Sequence, residues 1–347
     1  MKSGRFFCRS FRWLLVLSIL LSGGAGFLWA EDVDERFYVN ATFTTYDGRP
    51  LTNIRPEEVR ITVDGEAVQV LKLIEPDEPF NIGLLMDVSP SKEGEVDGIR
   101  RATADFVSWF PLDNPIMILT FDSEIYVDCD WTTDRKKVDE AIWEYGLHKP
   151  GGSTILREAI VAAVEQKYDE KRPRTAMILF TDGVDTGSKA IDEDESVEFL
   201  RQAGVVPYVL QHFSIEHQMR VQNPSPENPD LSRMPSPRGT KMGPIFVGGR
   251  SSERDWAEYK VNQIHETAVS YLGKVSRAGG GMHIQMASVG ELGKAYERVA
   301  AELTDVYTIY YAPPSRSLPG ALRQVRVSCS RDDVTVRARP ESFQQAK

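Results

Sequence analysis

Four near-continuous apolar runs constrain this chain's fold more than any other feature. Phe80-Asn-Ile-Gly-Leu-Leu-Met, Ile116-Met-Ile-Leu-Thr-Phe, Ala176-Met-Ile-Leu-Phe and Val205-Val-Pro-Tyr-Val-Leu show no alternating polar face. A strand that is apolar on both faces must lie in a sheet covered on both sides, which is the setting of parallel α/β sheets. The segments between them carry the helical period. Ile99, Ala102, Phe106, Val107 and Phe110 form one apolar stripe, and Leu156, Ala159, Ile160, Ala163 and Val164 form a second. Leu292, Ala295, Tyr296, Val299, Ala300 and Leu303 form a third, just before Tyr307-Thr-Ile-Tyr-Tyr, which reads as the last strand. Strand and helix in alternation predict a doubly wound, mostly parallel α/β domain over residues 79–312.

The two ends of the chain follow a different rhythm. Residues 31–78 alternate apolar and polar in Phe37-Tyr-Val-Asn-Ala-Thr-Phe, Val59-Arg-Ile-Thr-Val and Ala67-Val-Gln-Val-Leu, with turns at Asp47-Gly48-Arg49-Pro50 and Asp64-Gly65. Period two with Asp-Gly turns predicts β-hairpins. The segment is too short for a sheet core of its own. Residues 313–347 repeat the alternation in 322–336 around Arg331-Asp332-Asp333, so the two ends are expected to pair into a small flanking β-domain. Within the α/β stretch, residues 214–258 break the order with Asn223-Pro-Ser-Pro-Glu-Asn-Pro and Met234-Pro-Ser-Pro-Arg-Gly. This reads as a long insertion leaving the carboxyl edge of the sheet, where such folds bind ligands, and a recognition role is expected of it.

Residues 1–30 read as an export signal. Lys2, Arg5, Arg9 and Arg12 precede an apolar run over 13–21, then Ser22, Gly23, Gly24, Ala25 and Gly26, with Ala30 as the expected cleavage point. The alternative is an uncleaved membrane anchor, since residues 13–30 approach the shortest spanning length. Cleavage removes those four basic residues and no acidic one, moving the net charge from −10 to −14. A periplasmic or extracellular location is expected. The acidic balance disfavours a sequence-independent nucleic-acid binder. Beyond the signal only Cys129 and Cys329 remain, too few for a stapled scaffold, and a bridge between them and two unpaired thiols are equally open.

Chemistry gathers where strands end. Asp87-Val88-Ser89-Pro90-Ser91 follows the first apolar run and places one carboxylate and two hydroxyls at alternate positions. Gly151-Gly152-Ser153-Thr154 offers hydroxyls just before a helix, and Thr181-Asp182-Gly183 ends another strand. Each alone is as well explained by a turn or a helix cap. Together, two carboxylates, three hydroxyls and water suit an octahedral Mg²⁺-like ion, which keeps several waters and few charged ligands.

These same stretches resemble the metal-ion-dependent adhesion site (MIDAS) of von Willebrand factor type A domains: Asp87-Val-Ser-Pro-Ser, Thr154 in Gly-Gly-Ser-Thr-Ile-Leu-Arg-Glu-Ala-Ile, and Asp182 in Leu-Phe-Thr-Asp-Gly-Val-Asp-Thr-Gly. Val59-Arg-Ile-Thr-Val-Asp-Gly, Tyr310-Tyr-Ala-Pro, Val325-Arg-Val and Val336-Arg-Ala-Arg resemble the secreted bacterial VWFA-related family. The resemblance implies that Ser89, Ser91 and Thr154 coordinate the cation through their hydroxyls, while Asp87 and Asp182 act through water or hydrogen bonds. It implies Mg²⁺, with Mn²⁺ or Ca²⁺ as alternatives, and a protein partner whose Asp or Glu carboxylate completes the coordination sphere. Pro90 and Lys92 depart from the family's usual Gly and Met. Pro90 stiffens the loop without removing a ligand, and Lys92 adds a positive charge that lowers cation affinity.

Other chemistries lack their parts. His148, His212, His217, His265 and His283 show no His-Glu-x-x-His spacing, and His212 and His217 read as loop residues; neither Gly-x-Ser-x-Gly nor a phosphate-cradling loop occurs. The run Asp192-Glu-Asp-Glu195 reads as charge placed at a helix start rather than a calcium loop. The expected function is a non-enzymatic, secreted, metal-dependent binding module. A hydrolase using the same cation as Lewis acid, and a metal-free structural domain of an envelope assembly, are the alternatives.

Overall fold

The computed structural model describes residues 37–89, 94–147, 151–167, 174–215, 218–219, 250–314, 322–338 and 341–343. The proposed signal, Ser91 and its neighbours Pro90 and Lys92, and residues 220–249 of the insertion lie outside the described residues.

The chain opens with β1 (Tyr38–Thr45), β2 (Val59–Val63), β3 (Glu66–Val68) and β4 (Val70–Ile74), then enters the alternating region with β5 (Asn81–Asp87) and α1 (Val96–Ser108). There follow β6 (Ile116–Phe121), β7 (Ile125–Thr132), α2 (Arg135–Glu144), α3 (Leu156–Lys167), β8 (Thr175–Thr181), α4 (Glu193–Ala203) and β9 (Val206–His212). The region continues through α5 (Arg250–Ala278), β10 (His283–Met286) and α6 (Leu292–Leu303). The last strands are β11 (Val306–Tyr311), β12 (Leu322–Cys329), β13 (Val334–Ala338) and β14 (Glu341–Phe343). Residues 250–258, read from sequence as part of the insertion, are already helical. Among the described residues no helix is long and apolar enough to cross a membrane.

A six-stranded sheet in the order β10-β9-β8-β5-β6-β7 forms the centre, parallel throughout except for the antiparallel edge strand β7. The expected doubly wound architecture is therefore present. Every residue of β6, β8 and β9 is buried, as the four apolar runs required. One face packs Ile82, Leu84, Ile118 and Phe180 against α1, α2 and α6 through Phe106, Ile142 and Tyr296. The other packs Leu85, Leu119, Met177 and Leu179 against α3, α4 and α5 through Ile160, Leu200 and Leu272. Burying each such side chain contributes roughly 1.5–3 kcal/mol, which makes these two faces the main driving force for folding. At α4, Asp192 Oδ1 accepts from Glu195 N at 2.8 Å and Asp192 N donates to Glu195 Oε2 at 2.9 Å, a capping box that explains the acidic run.

Two four-stranded antiparallel sheets flank the centre, ordered β13-β1-β11-β4 and β14-β12-β2-β3. Strands from both chain ends pair directly, β1 with β13 and β2 with β12. A third core of Val39, Phe43, Ile61, Tyr307, Ile309 and Val325 joins the two sheets. The β2–β3 hairpin turns at Asp64 and Gly65, whose φ values of 51° and 85° are those a two-residue hairpin turn requires.

Two placements differ from the sequence reading. Residues 307–311 were expected to end the parallel sheet, yet β11 pairs antiparallel with β1 and β4 in a flanking sheet. Its alternate residues face two different cores, so the run looks continuously apolar without belonging to a parallel sheet. Likewise β1 forms no hairpin with β2; its partners β11 and β13 come from the far end of the chain. Both cysteines are unbridged, Cys129 buried in β7 and Cys329 at the end of β12.

Candidate functional site

Strands β6, β5 and β8 are neighbours, so the loops leaving their carboxyl ends emerge side by side. Asp87 closes β5 and is fully buried. Its Oδ1 accepts from Ser89 N and its Oδ2 from Thr181 Oγ1 on β8, each at 2.8 Å. Tyr145 OH, at the end of α2, donates to Asp87 O at 2.7 Å. Burial, with the nearby Asp87 charge, holds the Tyr145 phenol well above its ordinary range, so it remains a donor. Ser89 is 5% exposed.

The Thr154 loop is pinned from two sides. Fully buried Asp122, which follows β6, accepts from Gly151 N at 2.6 Å through Oδ2 and from Ile155 N at 2.8 Å through its carbonyl. From the β8 side, Thr186 Oγ1 accepts from Thr154 N at 2.9 Å, while Thr186 N and Gly187 N donate to Thr154 O at 3.0 and 2.8 Å. Both backbone groups of Thr154 are thus engaged. Its hydroxyl is different: Thr154 is only 7% exposed, and Oγ1 has no hydrogen-bond partner among the described residues. Thr154 Oγ1 is not among the buried atoms left unsatisfied, so this hydroxyl is accessible at the loop cluster and free to meet water or a ligand.

Asp182 follows β8 and is 3% exposed; its Oδ1 accepts from Val184 N at 2.9 Å. Gly183 has φ +84°, and a Cβ there would stand 2.7 Å from Leu272 Cδ1, so the turn admits no side chain. Asp185 fastens the loop to α3, accepting from Arg157 N and Nε at 2.9 and 3.1 Å and from Ser188 N at 2.9 Å. The Asp87, Thr154 and Asp182 stretches therefore meet in one hydrogen-bonded loop cluster at the carboxyl edge of the sheet.

Of the residues expected to bind the cation, Asp87, Ser89, Thr154 and Asp182 line these linked loops, and Ser91 lies outside the described residues. Sequence reasoning assigned no role to Asp122, Tyr145, Thr181, Asp185 and Thr186, whose hydrogen bonds hold the loops. Asp122 carried the one usable signal, being a carboxylate at a strand end like Asp87 and Asp182. His212, read as a loop residue, instead ends β9 at 4% exposure, with Nδ1 3.2 Å from Glu95 Oε2. Among the described residues there is no group of three or more His, Cys, Asp and Glu that could hold a metal ion.

Behind Asp182 a relay of two residues sets its main chain. Gln211 Nε2 donates to Asp182 O at 3.0 Å, which leaves Gln211 Oε1 to accept from His283 Nε2 at 2.9 Å. Burial, then the nearby Arg277 charge, pull the His283 pKa from 6.5 to about 4. Between pH 6.5 and 4 the unfolded chain therefore binds more protons than the folded one, and stability falls as pH drops through that window. Since His283 is only half-buried, the expected loss is about 1–2 kcal/mol. Urea midpoints from pH 7.5 to 4.5 will show a shallower pH dependence in His283→Gln than in the parent.

No family model matches the chain, nor does any curated protein. Among solved structures, it is similar to a von Willebrand factor type A protein from Catenulispora acidiphila, at 10% identity over 90% of this chain and 75% of that one, with a TM-score of 0.46. Proximal thread matrix protein 1 from the mussel byssus aligns at 13% identity over 64% of this chain, with a TM-score of 0.40; another structure of that protein has a zinc-occupied MIDAS motif. The aligned region spans 47% of the mussel protein. BatB from Bacteroides thetaiotaomicron aligns at 14% identity over 65% of this chain and 98% of its own, with a TM-score of 0.38.

Proposed function

We propose that this protein is an exported binding module of the von Willebrand factor type A kind, in which a divalent cation at the carboxyl edge of the sheet bridges to an acidic residue of a protein partner. The observation that carries this reading is the Thr154 hydroxyl, which bonds to no described residue and sits on a loop hydrogen-bonded to the Asp182 loop, whose Thr181 in turn donates to Asp87. Ser89 and Thr154 would supply direct oxygen ligands, with Ser91 as a third by resemblance. Both Asp87 oxygens already accept hydrogen bonds, which suits a carboxylate that sets the loop and acts through water. When bound, such a cation supplies a Lewis-acidic point for a partner carboxylate. Mg²⁺ fits a mostly neutral oxygen set, with Mn²⁺ and Ca²⁺ as alternatives.

The proposal is tested by immobilising the protein and capturing partners from the envelope fraction of its source cells, with Mg²⁺ or with chelator. Capture is expected with Mg²⁺ alone and is expected to fail for Asp87→Ala. Equal capture in both conditions would sink the metal-bridged reading.

A further inference from the structure

Opposite the loop cluster, at the amino ends of the parallel strands, the protein has an open cavity of about 460 Å³. Phe80 and Asn114, which precede β5 and β6, line it together with Leu303 at the end of α6. The size is that of ordinary ligand sites, about 300–1,000 Å³. Phe80, Phe110 and Leu303, all 6% exposed or less, lie at its floor, and exposed Pro111 and Thr304 stand at its edge. Its rim carries Glu75, Asp77 and Glu78, exposed carboxylates with no ion pair among the described residues.

The nearby cation is already committed. Arg174 spends all five of its N–H groups on the carbonyls of Pro76, Glu78, Pro79 and Val306 and on Thr308 Oγ1. The loop thus turns carbonyls inward to Arg174, whose charge the Glu78 and Asp77 carboxylates also feel without forming an ion pair with it. Asn114 adds a second, independent sign. It is 5% exposed, and its Nδ2 donates to Phe80 O at 3.2 Å, which fixes the amide orientation. Its Oδ1 accepts from no described residue and, not being a buried unsatisfied atom, is an acceptor open to water or to a ligand in the cavity that Asn114 lines.

We propose that this cavity receives a basic side chain, Lys or Arg, from an extended segment of a protein partner. The cationic head meets the Glu75, Asp77 and Glu78 carboxylates and Asn114 Oδ1, while the aliphatic stem lies against Pro111 and Thr304 at the edge of the cavity. Leu112, 72% exposed beside Pro111 of the rim, offers apolar surface to the flanking residue.

The test titrates the full chain, in chelator, with the capped peptide acetyl-Leu-Lys-Leu-Lys-amide, followed by isothermal titration calorimetry. Saturable binding is expected, weakened about tenfold or more in Asp77→Asn/Glu78→Gln and by added salt. Thr304→Lys, which puts an ammonium of the protein's own at the rim, will weaken it too. Circular dichroism and urea midpoints will establish that these surface variants fold. Absence of saturation at millimolar peptide, equal binding of acetyl-Leu-Glu-Leu-Glu-amide, or unchanged affinity in the double variant would each overturn the proposal. Butylammonium binding as tightly as the peptide would reassign the cavity to small amines and overturn the peptide partner. With no free cation in solution, failure here leaves the metal-bridged reading untouched.

Discussion

Thr154→Val will weaken cation binding by about a hundredfold while leaving the urea midpoint close to that of the parent. The two effects separate because the Thr154 hydroxyl has no partner among the described residues, whereas its backbone N and O hold the loop in place. Replacing a hydroxyl that makes no hydrogen bond within the protein with a methyl of the same shape is close to neutral for folding. For a cation the same change deletes a direct ligand, and loss of groups merely supporting the ligands already costs 10–100-fold. Calorimetric titration with Mg²⁺, Mn²⁺ and Ca²⁺, with acetate present in place of a partner carboxylate, measures the first effect. Unchanged affinity in the valine variant would remove Thr154 from the coordination sphere. Asp87→Ala is expected to behave differently and lower stability as well, because it strands Ser89 N and Thr181 Oγ1 in the interior.

Arg174→Met will destabilise the protein by about 3 kcal/mol or more, read as a lowered urea midpoint. Arg174 is 5% exposed and joins the start of β8 to the 76–79 loop and to β11 of the flanking sheet. Its guanidinium also sits 4.9 Å from the centre of the Phe80 ring. Burial draws its pKa down to about 10, which leaves it charged at neutral pH. Methionine fills similar volume but leaves several buried carbonyls without a donor, each at a cost of about 1–3 kcal/mol before relaxation. Lysine keeps the charge with fewer donors and no planar fork, so Arg174→Lys will fall between the two. A midpoint unchanged in Arg174→Met would mean that water replaces the guanidinium without loss.

The contrast between these two residues reflects what could be read in advance. Thr154 stood out because a hydroxyl between Gly-Gly-Ser and an amphipathic helix sits where an α/β sheet presents ligands. Arg174 lies in Lys171-Arg-Pro-Arg-Thr, an ordinary polar stretch between a helix and a strand, and nothing local marks it as buried. The apolar runs of β5, β6, β8 and β9 were legible because burial on both faces removes polar residues from the strand itself. Strand β7 was not, since an edge strand keeps polar residues on its open side, as in Ile125-Tyr-Val-Asp-Cys-Asp. Asp122 and Asp185 were missed for a related reason: each acts by accepting a backbone N–H from a distant stretch, Gly151 N at 29 residues and Arg157 N at 28 residues away in sequence.

By itself the sequence determined the layered α/β class and the candidate oxygen ligands, because both are written in short-range pattern: period of burial, and residue type at a strand end. The tertiary structure alone decided that β11 leaves the parallel series for a flanking sheet, that β1 and β2 take partners from the far end of the chain, and that Arg174 fastens these layers together. Those outcomes depend on which distant backbone donors and acceptors satisfy one another once water is excluded, and no local stretch of residues encodes that choice.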